Sequence, residues 1–378
     1  MTGLSVKTRD VEFITSERIS PILRQNLLKA RQLRNILKFD GFTLLEIPVE
    51  FAIQDVTNLV FLDNSLIILD TNSRQVLRFE ADGSFIMPVS RNGQGPEEYD
   101  NPLDLKRIHN NQVVVTDKSG IVIFDSSGNF SRRIYFKDIG VGFGNIEWSE
   151  PEHLFITNAF SSPKKRPHAM VTFSGDAETA LTSFGLQQKM NKQRNFPFSL
   201  IVPVGDKYWV ASKFLGNIDR YDLDGKHHPL KADQKPLGVT PEDFGKAAKK
   251  NGRLHPMFKH KPPLDERIFN SRLVRLGPIV IRTYFSASKG YGHDVFDSEG
   301  QILARDLHPG ATSLDIVDTY EKRLFAKVPA LQGTGALTEQ YLKSKLYRSE
   351  YDALQRTGYH SIDDDDHFFI WTGHLADY

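Results

Sequence analysis

The chain of 378 residues contains no cysteine. That removes disulfides, thiolate metal sites and cysteine nucleophiles together, and it leaves the redox compartment open, because a large β domain closes without covalent staples. An excess of charge of one sign is missing as well. The 48 Lys and Arg stand against 47 Asp and Glu, a formal net charge of +1. No global field therefore draws the protein to nucleic acid or to an anionic membrane, so any electrostatic function has to come from local clustering. No run of about 18 apolar residues is present, and no transmembrane segment is expected. Met1 to Glu12 lack the apolar core of a secretion signal. As written the sequence reads as cytoplasmic; a periplasmic or secreted location would follow if a signal had been removed ahead of it.

Chemical motifs are also scarce. Gly93-Gln94-Gly95 lacks the Lys-Ser/Thr pair and the following helix of a phosphate loop. No Gly-x-Ser-x-Gly elbow occurs. His255 and His260 lie five apart across a proline with no carboxylate partner, and Asp363 to Asp366 lack the alternation of a calcium loop. No metal and no cofactor is therefore expected. A pI near 7.9 without a stacking motif argues against a nucleic-acid partner.

What is present is a repeat. An aromatic residue, usually followed by an acid, precedes a Gly-containing turn at Phe79-Glu80-Ala81-Asp82-Gly83, Phe124-Asp125-Ser126-Ser127-Gly128, Tyr221-Asp222-Leu223-Asp224-Gly225 and Phe296-Asp297-Ser298-Glu299-Gly300. Phe173-Ser174-Gly175-Asp176 is a weaker copy. The pattern predicts a β-hairpin whose glycine takes positive φ. Successive aromatics are 45, 49, 48 and 75 residues apart. Three of these spacings suit a four-stranded propeller blade, and the last suits a blade plus an insertion. An earlier β-branched run accompanies each turn: Leu66–Asp70, Val113–Asp117, Leu154–Thr157, Tyr208–Ala211 and Ile279–Arg282. Two further runs, 323–328 and 367–371, complete a ring of six or seven blades.

Six blades require 313–328 and 366–372 to share one blade around a helical insertion at about 331–358, with an outer strand from Phe42–Phe51. Seven require a hairpin in 331–355, a segment with helical propensities. The expected fold is thus an all-β propeller of six blades, closed by strands from both ends of the chain so that no sheet edge stays free. The expected organisation is an N-terminal extension over 1–41 and a single propeller domain over 42–378. A second insertion, about 231–268, would lie over one face.

The run Arg91-Asn92-Gly93-Gln94-Gly95-Pro96-Glu97-Glu98-Tyr99, just after an outer strand, resembles the inter-blade loop of bacterial six-bladed propellers related to NHL repeats. Leu45–Glu50 resembles the strand that opens those proteins. The resemblance implies the fold and not an activity, since propellers host binding modules, hydrolases and lyases alike. Many proteins of that kind are exported.

Residues 17–38 space Ile22, Leu23, Leu27, Leu28, Leu33, Ile36 and Leu37 at helical intervals beside Arg and Lys. Such a helix either packs on the propeller or addresses a membrane surface or a protein partner.

Sorting charges by propeller face places Arg74, Lys118, Lys164, Lys165, Arg166, Lys213, Arg282 and Lys289, with Lys327, on the face of the longer loops. The acids collect on the tight-turn face, where they read as turn chemistry. The basic face, with His255 and His260 of the 231–268 insertion above it, is expected to bind an anionic small molecule or peptide. The alternative is a cofactor-independent hydrolase, lyase or isomerase at the same mouth, using Arg282 as anion clamp, Tyr284 as phenol and His293 as general acid–base. A protein-interaction scaffold is the third reading.

Overall fold

The computed structural model describes residues 19–62, 64–117, 119–135, 146–149, 154–158, 168–174, 180–186, 199–212, 218–222, 225–228, 268–286, 290–307, 315–320, 322–327, 348–356 and 368–376. They form six four-stranded antiparallel sheets. Five are continuous in sequence: blade 1 over 58–88, blade 2 over 104–135, blade 3 over 146–186, blade 4 over 199–228 and blade 5 over 268–307. Blade 6 takes its inner strands from Asp315–Tyr320, Arg323–Lys327 and Phe368–Leu375 and its outermost strand from Leu37–Leu45.

The repeated turn forms as its residues dictate. Gly83, Gly128, Gly225 and Gly300 all have φ between +84° and +101°. In blade 2 the Asp125 carboxylate accepts from the amides of Ser127 (2.8 Å) and Asn129 (2.9 Å). Asp297 repeats this in blade 5 with Glu299 and Gln301. Register shifts at the motif's aromatic in blades 1, 2, 3 and 5, a bulge that turns the outer strand away from the third.

Apolar packing lies between blades. Six clusters of buried residues each bridge one junction: Leu69 and Val76 meet Val113 and Phe124 between blades 1 and 2, for example, and Trp209 meets Val280 and Phe296 between blades 4 and 5. Clusters at the remaining four junctions, blade 6 with blade 1 included, complete the ring.

The closing strand starts five residues earlier than the sequence reading placed it. Phe39 and Phe42 pack on Trp371 and Phe369, with ring centroids 5.7 and 6.3 Å apart. Pro48 then begins a turn, its carbonyl accepting from the Phe51 amide at 2.9 Å. The helix expected over 17–38 is correspondingly short. Helix α1 spans Pro21–Lys29, with Ser20 Oγ accepting from the Leu23 amide at 3.1 Å. A 3₁₀ turn at Leu33–Ile36 leads into the closing strand. Leu23, Leu27, Leu33, Ile36 and Leu37 are all buried in the junction of blades 5 and 6. The apolar stripe is therefore spent on the propeller, leaving Ile22 and Leu28 outward. Helix α2, Arg348–Arg356, lies within the insertion that interrupts blade 6. Among the described residues no helix is long and apolar enough to cross a membrane.

The loop bearing the family resemblance is organised by its own side chains. Glu98 accepts from the Gly95 amide (2.8 Å) and from Arg91 Nε (2.6 Å), and the Gly95 amide holds its carboxyl below the usual range. A Cβ on Gly93 would fall 1.9 Å from that carboxylate, so any larger residue there would displace the Glu98 side chain. The buried Tyr99 hydroxyl donates to the Ser90 carbonyl (3.0 Å) and accepts from the Val76 amide (3.2 Å). Arg133 of blade 2, held by Asp117 of the same blade (2.5 Å), ties the loop down through the Gly95 (3.1 Å) and Glu98 (2.6 Å) carbonyls.

Candidate functional site

The first strand of every blade borders the central axis, and those of blades 2, 3, 5 and 6 carry charges that a buried strand ordinarily avoids. A cavity of about 1190 Å³ runs between them, lined by one or more residues of each blade, among them Val60, Lys106, Glu147, Val202, Val274 and Asp318. Asn110, Asn111, Gly277 and Lys322, from the turns between first and second strands, also line it, with Arg323 at the start of blade 6's second strand. The channel therefore opens on the tight-turn face.

Its deeper part holds a charge cluster drawn from three blades. Lys106 Nζ lies 2.6 Å from Glu147 Oε1. Burial pushes the Glu147 carboxyl from 4.5 up to about 7, against the opposing pull of Lys106. Burial likewise lifts Asp318 from 3.8 to about 6, with Lys106 the largest opposing charge. Burial alone would lower Lys106, yet Glu147, Asp104 and Asp318 together raise it. The ammonium is thus fixed, while the two carboxyl groups titrate close to neutrality.

At the opposite end of the same strands, polar groups are committed to structure. Asn58 donates to Asp104, which also accepts from the Ile146 amide at 2.9 Å. Arg272 donates to Asn58 Oδ1 at 3.1 Å and to the Thr57 carbonyl. Blades 1, 2, 3 and 5 are tied together there. Towards the opening, Arg107 lies over the Tyr320 ring, 3.6 Å from its centroid, and Arg275 donates to the Gly277 carbonyl at 3.1 Å. Among the lining residues, Lys106, Arg107, Arg275, Lys322 and Arg323 face three acids, Asp40, Glu147 and Asp318.

The three residues expected to act in catalysis are placed otherwise. Arg282 is buried and paired with Asp294 at 2.5 Å. Tyr284, whose phenol burial pushes up, donates to Asp306 Oδ1 at 2.8 Å. Both stand on the side of blade 5 that faces blade 4. The buried His293 is one residue out of phase with them, on the opposite side, with Nδ1 3.0 Å from Thr283 Oγ1. The strand's alternation thus separates the imidazole from the phenol, and none of the three lines the channel.

Of the cations expected to bind an anion, Arg74 is exposed in a turn at φ 58°, its guanidinium 3.5 Å from the Asp100 carbonyl. Lys327 is spent on Asp55, at 2.7 and 2.8 Å from its two carboxylate oxygens. Lys118, Lys164, Lys165, Arg166, Lys213, Lys289, His255 and His260 lie outside the described residues. Asp70 and Asp117 close the second strands of blades 1 and 2 on this face, each collecting turn amides and hydroxyls.

Sorting by face overlooked radius. The two tight turns of a blade share a face, but the outer ones carry the repeat's Asp while the inner ones of blades 2, 5 and 6 bring Asn, Gly, Lys and Arg to the axis. Charged residues in the middle of first strands, Lys106 and Glu147 above all, were the signal available.

The comparisons agree with the six-bladed fold. Residues 15–192 match the DUF5128 family, described as a 6-bladed beta-propeller. This chain is a six-bladed β-propeller. Among solved structures, the propeller is similar to a protein of Bacteroides fragilis named as a candidate exported protein, at 13% identity and a TM-score of 0.66, covering 92% of this chain and 97% of that one. It is also similar to a member of the duf4221 family from Bacteroides vulgatus, at 8% identity and a TM-score of 0.52, covering 90% and 98%. Streptogramin B lyase aligns at 12% identity over 76% and 80% of the chains, with a TM-score of 0.45, too slight a likeness to bear on function. No curated protein matches the sequence.

Proposed function

We propose that this propeller binds an anionic small molecule or peptide in its axial channel, entering from the tight-turn face. The observation that carries the reading is the convergence of Arg107, Arg275, Lys322 and Arg323 around the opening of a 1190 Å³ cavity lined by all six blades. Cations around a recessed, low-dielectric opening focus the field and raise the local anion concentration. The channel is large enough for a ligand of metabolite or small-peptide size.

Isothermal titration against carboxylates and phosphates tests it. Binding should weaken as salt rises from about 50 to 500 mM, because exposed charges are screened. The Arg275→Ala, Arg323→Ala double variant should lose at least ten-fold in affinity, the scale of one or two charge-assisted hydrogen bonds. Affinity unchanged in that variant would sink the reading.

A second reading rests on Glu147. A carboxyl titrating near 7 beside a fixed ammonium suits general acid–base chemistry without a cofactor. If the ligand is turned over, Glu147→Gln should remove turnover and leave binding within a few-fold; undiminished turnover excludes Glu147 from the chemistry.

A further inference from the structure

The two depths of the channel carry complementary chemistry. Deep inside, one lysine serves two carboxylates: Lys106 closes on Glu147 at 2.6 Å and acts on Asp318 as a through-space charge. Nearer the opening, the side chains are Arg275 and Arg323, with Arg107 held over Tyr320. Arg323 is the register partner of Tyr320, two residues beyond Asp318 on the first strand of blade 6. At about 3.3 Å per residue the two levels are roughly 7 Å apart along the axis. A purely anionic ligand would use only the upper level and would leave the two carboxyl groups below it sharing the charge of a single lysine.

We propose that the channel takes a short zwitterionic peptide of two or three residues, its free ammonium lowered to Glu147 and Asp318 and its carboxylate held by Arg275 and Arg323. An extended peptide advances about 3.5 Å per residue, so two or three residues span the two levels. The α-ammonium supplies three N–H donors to two carboxylates, and the guanidinium groups present forked donors that match a terminal carboxylate. The assignment rests on the channel being the anion site proposed above and adds the second, cationic end of the ligand.

A proton balance distinguishes the ligand classes. Near pH 7 Glu147 is part-protonated. An arriving ammonium favours its ionised form and expels a proton, whereas an arriving anion alone favours the protonated form and draws one in. Titration calorimetry in two buffers of different ionisation enthalpy reads the sign.

The probes are trialanine, N-acetyl-trialanine and trialanine amide, which change the ligand and leave the protein intact. Trialanine is expected to bind with net proton release at pH 7, and each blocked form at least ten-fold more weakly, as loss of a charge-assisted pairing implies. Asp318→Asn, checked for folding by circular dichroism, should weaken trialanine and leave the acetylated form within two-fold. Acetyl-trialanine binding as tightly as trialanine, or proton uptake, overturns this proposal while leaving the anion reading in place. An amide that binds as tightly as the free acid removes the anion reading and this proposal with it. If none of the three binds, the peptide assignment falls and the carboxylate and phosphate titrations alone decide the anion reading.

Discussion

At the scale of single residues, the channel makes stability depend on pH in a definite direction. Glu147 and Asp318 hold their protons to about 7 and about 6 in the folded state, against 4.5 and 3.8 as ordinary values. Between those limits the folded protein binds more protons than the unfolded chain, so stability falls as pH rises from about 4 to 8. The ionised cluster costs on the order of a few kcal/mol at the upper end of that window. Thermal denaturation should show a melting temperature that declines over this range in the wild type and declines less steeply in Glu147→Gln. An equal or steeper decline in the variant would show that Glu147 does not hold its proton in the fold. The repeat offers a second test at this scale. Gly83 and Gly128 occupy the same turn position with φ of +101° and +88°. A Cβ on Gly83 would strike the Leu44 carbonyl oxygen at 1.8 Å, whereas on Gly128 the nearest atom is Arg78 Nη1 at 3.7 Å. Gly128→Ala should therefore cost about 1–2 kcal/mol, the left-handed strain alone. Gly83→Ala should cost more, with the clash added, and urea denaturation of the two variants compares them. Equal losses would mean that the contact with the closing strand yields freely.

At the scale of elements, α1 belongs to the core of the ring. Leu27→Ala should cost about 2–5 kcal/mol, the range for a buried leucine with its cavity, and Leu28→Ala, at a residue 72% exposed, less than about 0.5 kcal/mol. Similar losses in chemical denaturation would contradict the packing of Leu23 and Leu27 at the junction of blades 5 and 6. This helix also shows where the sequence is ambiguous. Ile22 to Leu37 keep a helical spacing, yet Ala30 is extended and Leu37 already begins a strand, because pairing with Leu375 outweighs local periodicity. The third and fourth strands of blades 1, 2, 4 and 5 were legible, since Asp, Gly and a preceding aromatic specify a hairpin by local chemistry. Second strands were legible as β-branched runs. First strands were not, and the site lies on them. Lys106, Arg107, Glu147, Arg272 and Asp318 interrupt the apolar pattern that marks a strand, and only the assembled ring shows that all of them border one axis. The catalytic grouping of Arg282, Tyr284 and His293 was close in sequence and divided by strand alternation, which a linear reading overlooks.

At the scale of the whole molecule, the ring joins blades through six apolar junctions and closes with antiparallel pairing between Leu37–Leu45 and Phe368–Leu375. A ligand in the channel touches several blades at once, so it should stabilise the molecule as one unit. In a thermal-shift screen, an anion at 100 times its dissociation constant should add about 2.7 kcal/mol of stability. A single sharpened transition is the expected form of that gain, and a partial shift confined to one phase would show that the blades respond separately.

The closing pair has a consequence for synthesis. Leu37 and Leu375 are neighbours in space, but the ribosome makes the first long before the second. Blades 1 to 5 can assemble while the chain is being made, each from contiguous residues. Throughout that time the segment 37–45 is an orphan strand waiting for a partner not yet translated. Closure is a non-local event reserved for the end, and non-local pairing is slow. A chain truncated before Phe368 would hold five finished blades and an open seam, with two sheet edges offered to any other chain. Translation stalls that come after blade 5 and before Phe368–Leu375 is available should therefore be the most hazardous, yielding species that associate edge to edge.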